Sequence, residues 1–282
     1  SGTLGQMIPP SIFMILFAAS TQLDAGQLFI AGIVPGIFIA VILIIVAIIV
    51  GLKDHTKKLE RSSFQALVKS FLEAIPSLLM PVIILGGIYG GVFTPTEAAA
   101  IAVFYVLVIS FLFNREDFTL ANFNKSLVST MITTAIVFIL LGGAKLFSNA
   151  LTYLQLPQDI TAFAVNLNVA DWVIMLIVIF IFLLFGMFLD AIPILYITLP
   201  ILYPTVISLG YDPIHFAIVI VAALMIGQIT PPVGSSLYAI SGHFKENMGM
   251  VVKGTYPYLI GLLIATFVLL YVPWLSTFLM NE

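Results

Sequence analysis

The sequence predicts an all-α integral membrane protein with an inverted-topology repeat, a re-entrant helical hairpin and broken transmembrane helices. Three observations predict it. Hydrophobic residues are 61% of the 282, charged residues 8%, and the mean hydropathy is +1.20. A soluble domain carries about 25% charge. Second, a long apolar run is interrupted at 227–236 by Gly-Gln-Ile-Thr-Pro-Pro-Val-Gly-Ser-Ser. Two prolines remove backbone donors, and the glycines weaken the helix further. An unsatisfied backbone in lipid is costly, so such a break belongs where protein buries it or where it lines a wet cavity. Third, the same break stands at 5–11 as Gly-Gln-Met-Ile-Pro-Pro-Ser.

The elements follow in order. Residues 11–21 are a short apolar half-helix, and Asp24 caps a spanning helix over 26–52. A basic segment over 53–69 follows, with an interfacial amphipathic helix expected at 62–73. Residues 75–91 span and end in a glycine-rich turn. Thr94-Pro95-Thr96-Glu97 is a capping box with proline at the first helical position, so a helix starts there and runs to 113. Residues 114–126 are polar, and the next helix is expected at 128–151, softened by Gly142-Gly143 and carrying Lys145. Residues 155–168 read as interfacial. Asp171 is expected to cap an apolar helix over 172–187, interrupted at 186–193 and resumed over 193–209. Each half has about 16 residues, and ~20 are needed to cross. A re-entrant hairpin with its tip at 186–193 therefore fits better than two spans. Asp212-Pro213 caps a helix to 226, the break follows, 236–242 completes it, and 254–279 is the last span.

Basic residues orient the chain. Nine of the ten lie in 53–69, 114–126 and 243–253, and Lys145 is the exception. With those segments cytoplasmic, the alternation closes only if 172–209 enters and leaves on the outer side, which supports the hairpin independently of its length. The C-terminus then lies on the outer side. Trp172 and Trp274 fall near the outer interface.

At an offset of 222 residues, Gly5 meets Gly227, Gln6 meets Gln228, and Pro9-Pro10 meets Pro231-Pro232. Further on, Asp24 meets Glu246, Gly32 meets Gly254 and Pro35 meets Pro257. The two copies run in opposite directions across the membrane, an inverted repeat. The second copy carries a hairpin before its break. A matching hairpin is expected upstream of Ser1, cut off or carried on another chain.

Broken helices in inverted repeats bind small solutes near the membrane midplane. Half-helix N-termini suit a carboxylate. Unwound carbonyls and hydroxyls suit Na⁺, and one Na⁺ site is expected between the 186–193 tip and the 227–236 break. Its candidate ligands are Gly186, Asp190, Gly227 and Thr230, largely through carbonyls. Gly5 is the candidate for a second site at the first break. The candidate substrate-binding residues are Pro10, Ser11, Ala191, Pro193, Pro232, Gly234, Ser235 and Ser236. Asp190 is either a helix cap or a direct ligand. Lys145 reads as a snorkelling or partner-facing side chain rather than a substrate counter-ion. Without cysteine, disulfide and thiol chemistry are excluded. His55, His215 and His243 show no metal spacing, and no catalytic constellation is present, so an enzyme is not expected.

Gly-Gly-Ile-Tyr-Gly-Gly-Val-Phe-Thr-Pro-Thr-Glu-Ala-Ala-Ala (86–100) resembles a signature of the large membrane subunit of TRAP (tripartite ATP-independent periplasmic) transporters. So do Gly-Tyr-Asp-Pro-Ile-His-Phe (210–216), Gly-Gln-Ile-Thr-Pro-Pro-Val-Gly (227–234) and Leu-Gly-Gln-Met-Ile-Pro-Pro-Ser (4–11). The resemblance covers nearly the whole chain. It implies a Na⁺-driven importer of organic acids in the bacterial inner membrane, working with a small membrane subunit and a periplasmic substrate-binding protein. It also implies an elevator mechanism. The moving part would then be 1–21 and 172–242, with 22–151 and 243–282 mainly as scaffold and 152–171 as an interfacial arm. The alternatives are a stand-alone Na⁺/dicarboxylate symporter and an ion channel.

Overall fold

The computed structural model describes residues 2–53, 63–113, 118–166 and 169–280. Lys57, Lys58, Arg61 and Arg115, which carry part of the orientation argument, lie outside the described residues. Every regular element among the described residues is helical. A 3₁₀ turn at Gly2–Gln6 precedes α1 (Ile12–Thr21) and α2 (Ala25–Lys53). Then come α3 (Phe64–Tyr89), α4 (Pro95–Phe113), α5 (Leu120–Tyr153) and α6 (Leu156–Asn166). The second half holds α7 (Asp171–Gly186), α8 (Ala191–Ser208), α9 (Pro213–Gly227), α10 (Ser235–Phe244), α11 (Met248–Tyr271) and α12 (Trp274–Thr277). Among the described residues, α2, α3, α4, α5, α8 and α11 are long and apolar enough to cross a membrane. The chain is a multi-pass integral membrane protein.

The expected caps form. Asp24 Oδ1 accepts from Gln27 N at 2.8 Å. Thr94 N and Oγ1 both donate to Glu97 Oε2 at 2.8 Å, and Glu97 N donates back to Thr94 Oγ1. Asp212 Oδ1 accepts from Ile214 N and His215 N, with Pro213 in the first turn. Four expectations are corrected. The last span, expected over 254–279, is α11 from Met248 to Tyr271, and α12 follows it as a separate turn. Asp171 is the first residue of α7, not its cap, and the cap position Ala170 makes no side-chain bond. The interfacial helix and the span expected at 62–73 and 75–91 are one helix, α3, begun at the Ser63 cap and passing through Pro76 and Pro81. And α5 starts at Leu120, inside the stretch read as a polar loop. A helix satisfies its own backbone in water as well as in lipid, so polarity alone does not end it.

The chain divides into two compact units, residues 1–54 with 140–282, and residues 55–139. In the second, α3 packs on α4, and Tyr105 Oη donates to Pro76 O at 2.6 Å.

The first unit is built round α9. Every residue from Ile214 to Gly227 is buried. An all-round apolar helix belongs in a core. It packs against α7, α2, α11, α12, α1 and α8. The tightest approach is α7 on α9. A Cβ on Gly227 would stand 2.6 Å from Gly186 Cα, and one on Gly186 would stand 2.9 Å from Gly227 Cα. Small residues let membrane helices approach closely, and packing rather than water exclusion holds them there. Gly227→Ala is therefore expected to destabilise the protein by about 1–3 kcal/mol, read as a lower unfolding temperature in detergent. Gly142→Ala, whose added Cβ meets nothing within 4 Å, is the control and should not lower it.

Candidate functional site

Both Pro-Pro breaks are unwound. Pro9-Pro10 and Pro231-Pro232 are each joined by a cis peptide bond. At the first, Ser11 caps α1, and its Oγ donates to Gln6 O at 2.7 Å. At the second, Gln228 closes α9 and Gly234 opens α10. Gly234 has φ +57°, and a Cβ there would stand 2.9 Å from Leu237 Cδ1 and 3.1 Å from Gln228 O, so only glycine fits.

The tip between α7 and α8 docks on the second break. Met187 O accepts from both Val233 N at 3.2 Å and Gly234 N at 3.0 Å. Those two donors follow the proline pair and have no helical partner. Asp190 is the N-cap of α8, and its Oδ1 accepts from Ala191 N at 2.9 Å and from Gln228 Nε2 at 3.1 Å. The carboxylate can only accept, so it fixes which end of the Gln228 amide faces it. The opposite end, Gln228 Oε1, accepts from Gln6 Nε2 at 2.7 Å. Gln6 and Gln228 are the two glutamines of the 222-residue offset. Gln228 is 4% exposed. The chain of bonds ends on Gln6 Oε1, which is buried without a partner among the described residues.

Three helix N-termini are thereby tied to one pair of amides. Ser11 of α1 bonds Gln6 O, Asp190 of α8 bonds the Gln228 side chain, and Ser236 N of α10 donates to Gln228 O at 3.2 Å. N-terminal ends carry partial positive charge; the Asp190 carboxylate already answers that of α8, while α1 and α10 have no acidic residue in their first turns and are left to favour an anion. A cavity of about 580 Å³ lies against the second break, lined in part by Thr3, Ile229, Ser236, Leu237 and Tyr258.

The structure brings together Gly186, Asp190, Ala191, Gly227, Gly234 and Ser236. Thr230 Oγ1 donates to Ile226 O at 2.6 Å, which leaves the hydroxyl's lone pairs for another contact. Pro193 lies in the first turn of α8, partly exposed, and Pro232 and Ser235 are exposed on the break. Pro10 is exposed beside the buried Ser11. Gly5 sits in the 3₁₀ turn, where an added Cβ would meet nothing within 4 Å. Asp190 acts as a cap. Among the described residues no three of His, Cys, Asp and Glu cluster as a metal site. Sequence reasoning paired Gln6 with Gln228 but did not count either among the site residues; their identical place one residue after glycine at both breaks was the available signal. Met187 carried none.

Two broken helices meet at a polar junction inside an apolar multi-pass bundle. Residues 1–275 match the family model of the tripartite ATP-independent periplasmic transporter, DctM component, and the chain belongs to that family. It is 38% identical over 281 residues to the C4-dicarboxylate TRAP transporter large permease protein DctM of Pseudomonas aeruginosa, covering 100% of this chain and 66% of that protein. It is 37% identical over 274 residues to the ectoine/5-hydroxyectoine TRAP transporter large permease protein UehC of Ruegeria pomeroyi, covering 97% and 64%. With the sialic acid TRAP transporter large permease protein SiaM of Vibrio cholerae it shares 33% over 261 residues, covering 93% and 61%. The chain thus spans under two thirds of the length of these relatives.

The amide pair makes a testable unit. Gln228→Ala strands Gln6 Nε2 and removes a donor from Asp190, so a loss of about 1–3 kcal/mol in unfolding stability is expected. In a double-mutant cycle with Gln6→Ala the two losses should fall short of additive, because either change breaks the same bond. Strict additivity would show that the two amides are not coupled.

Proposed function

We propose that this chain is the transport subunit of a Na⁺-coupled, binding-protein-dependent importer of small organic acids, working by elevator-type alternating access in the bacterial inner membrane. The observation that carries the reading is the junction of three helix N-termini on the Gln6–Gln228 pair. It offers partial positive charge to a carboxylate and, on its flank, unwound carbonyls to a cation. Family membership supports it, and so do the named substrates of the relatives, which include C4-dicarboxylates and sialic acid. The partners are a small membrane subunit and a periplasmic substrate-binding protein. The C-terminus is periplasmic.

In this reading α7 and α8 form a re-entrant hairpin, and the two breaks are the matched halves of an inverted repeat. Na⁺ travels as cargo between the 186–190 tip and the 227–230 segment, held by backbone carbonyls and Thr230 Oγ1. Hard oxygen ligands suit that cation. Gln6 Oε1, a buried acceptor without a hydrogen-bond partner among the described residues, serves a second cation at the first break. The moving body is drawn wider than the sequence division. Both α2 and α11 pack on the fully buried α9, so they travel with the broken helices instead of standing in the scaffold.

The test is uptake by the full transporter with its partners in proteoliposomes, across a panel of labelled acids, with and without a Na⁺ gradient. Uptake that needs the gradient is expected; indifference to it would sink the coupling. Thr230→Val is expected to raise the Na⁺ concentration for half-maximal uptake by about tenfold, equivalent to ~1.4 kcal/mol, and Thr230→Ser to restore it. No shift would leave the carbonyls as the only ligands on this segment.

A further inference from the structure

The junction is not the only place where α1 and α8 come together. Both helices begin there, at Ser11 and Asp190, and they pack side by side. α1 is 10 residues long, so its far end lies about 15 Å from the junction. A second cavity, of about 390 Å³, opens at that end. It is lined by Ser20 and Gln22 from the end of α1, Tyr196 and Pro200 from α8, and Lys145 and Ser148 from α5.

The charge balance of this cavity is one-sided. Lys145 is the only charged group among the described residues that lines it. Among the described residues no carboxylate lies within 4.0 Å of its ammonium, since Lys69–Glu73 is the one ion pair found there. The other polar walls are the Ser20, Ser148 and Tyr196 hydroxyls and the Gln22 amide; the Ser20 hydroxyl is spent on Leu16 O at 2.8 Å, which leaves Ser148, Tyr196 and Gln22 to turn a donor toward an anion. An ionisable side chain on an apolar membrane helix is costly unless it faces a polar space or a partner. Lys145 is exposed and borders a part-polar cavity with room for a small ligand.

We propose that Lys145, with Gln22, Ser148 and Tyr196, forms a second carboxylate-binding site, one half-helix away from the junction along the α1–α8 seam. It holds an organic acid on its way to or from the junction. This assigns Lys145 a ligand, where the sequence alone suggested snorkelling or a partner contact. The inference rests on the transport reading above, since it takes the anion to be the transported acid. An anionic phospholipid headgroup would offer the same charge, and the test separates the two.

The experiment uses the full transporter with its partners in vesicles of phosphatidylcholine alone and of phosphatidylcholine with phosphatidylglycerol. Lys145→Met is expected to raise the KM for the transported acid by about tenfold with kcat less affected, equally in both vesicles. Lys145→Arg should keep most of the wild-type KM. The chain has no cysteine, so Lys145→Cys introduces its single thiol. Attaching an aminoethyl group to that thiol returns an ammonium and should restore KM; attaching a sulfonatoethyl group should not. Succinate, pyruvate and sialic acid, tried in turn, should slow the attachment reaction when one of them is the transported acid. An unchanged KM in a wild-type-active system overturns the site and leaves the transport reading standing. An effect seen only with phosphatidylglycerol overturns it in favour of a lipid site. Wild-type protein that transports none of the acids defeats the transport reading, and absence of any protection of the thiol then defeats the second site as well.

Discussion

Asp190 accepts hydrogen bonds and cannot donate them while ionised, and that restriction runs through the whole junction. It turns the Gln228 amide nitrogen toward the α7–α8 tip. The Gln228 oxygen then faces Gln6, which must offer its nitrogen. Two helix breaks more than two hundred residues apart in sequence are held in register by this ordered chain. Backbone amides freed by the prolines find Met187 O, so the unwound segment is secured from both sides. Without those partners, an irregular stretch inside an apolar bundle would carry unsatisfied groups at several kcal/mol each.

The junction also explains why α9 is buried along its length. It ends at the second break, and six other helices pack around it. Lipid is as apolar as leucine, so burying this helix gains little from solvent exclusion. What it gains is close contact and a fixed place for Gln228. Gly32 and Gly36 of α2 show the same demand at the first break. A Cβ on the former would stand 2.8 Å from Met7 O, and one on the latter 2.9 Å from an Ile8 side-chain carbon. α2 is thus part of the wall at the first break; Gly254, the counterpart of Gly32 in α11, has open space around it, so the second break lacks this contact.

Much of this was legible in the residues. Pro-Pro flanked by Gly-Gln twice at one offset marked both breaks, and Asp24, Thr94-Glu97 and Asp212-Pro213 marked three helix starts. Those signals are local, and local backbone chemistry is what sequence reports well. The start of α5 was not legible, because Thr119 and its neighbours are polar and hydropathy measures contact with lipid rather than helicity. Nor was the capping of α7, since an aspartate before an apolar run serves as well at the first helical position as at the cap. The Gln6–Gln228 bond was visible only as a pairing of letters. Which atom faces which depends on Asp190, and that proximity exists only once the tip has docked.

Where α7 meets α9, the contact is backbone against backbone, Gly186 on Gly227. A side chain at such a crossing can change rotamer and absorb a displacement of an ångström or so. Glycine has no rotamers. The joint between the tip and the break therefore has no soft coordinate of its own, and a push on one helix reaches the other undamped. In the proposed alternating-access reading, a binding site carried through a membrane without being deformed has a use for such a stiff joint.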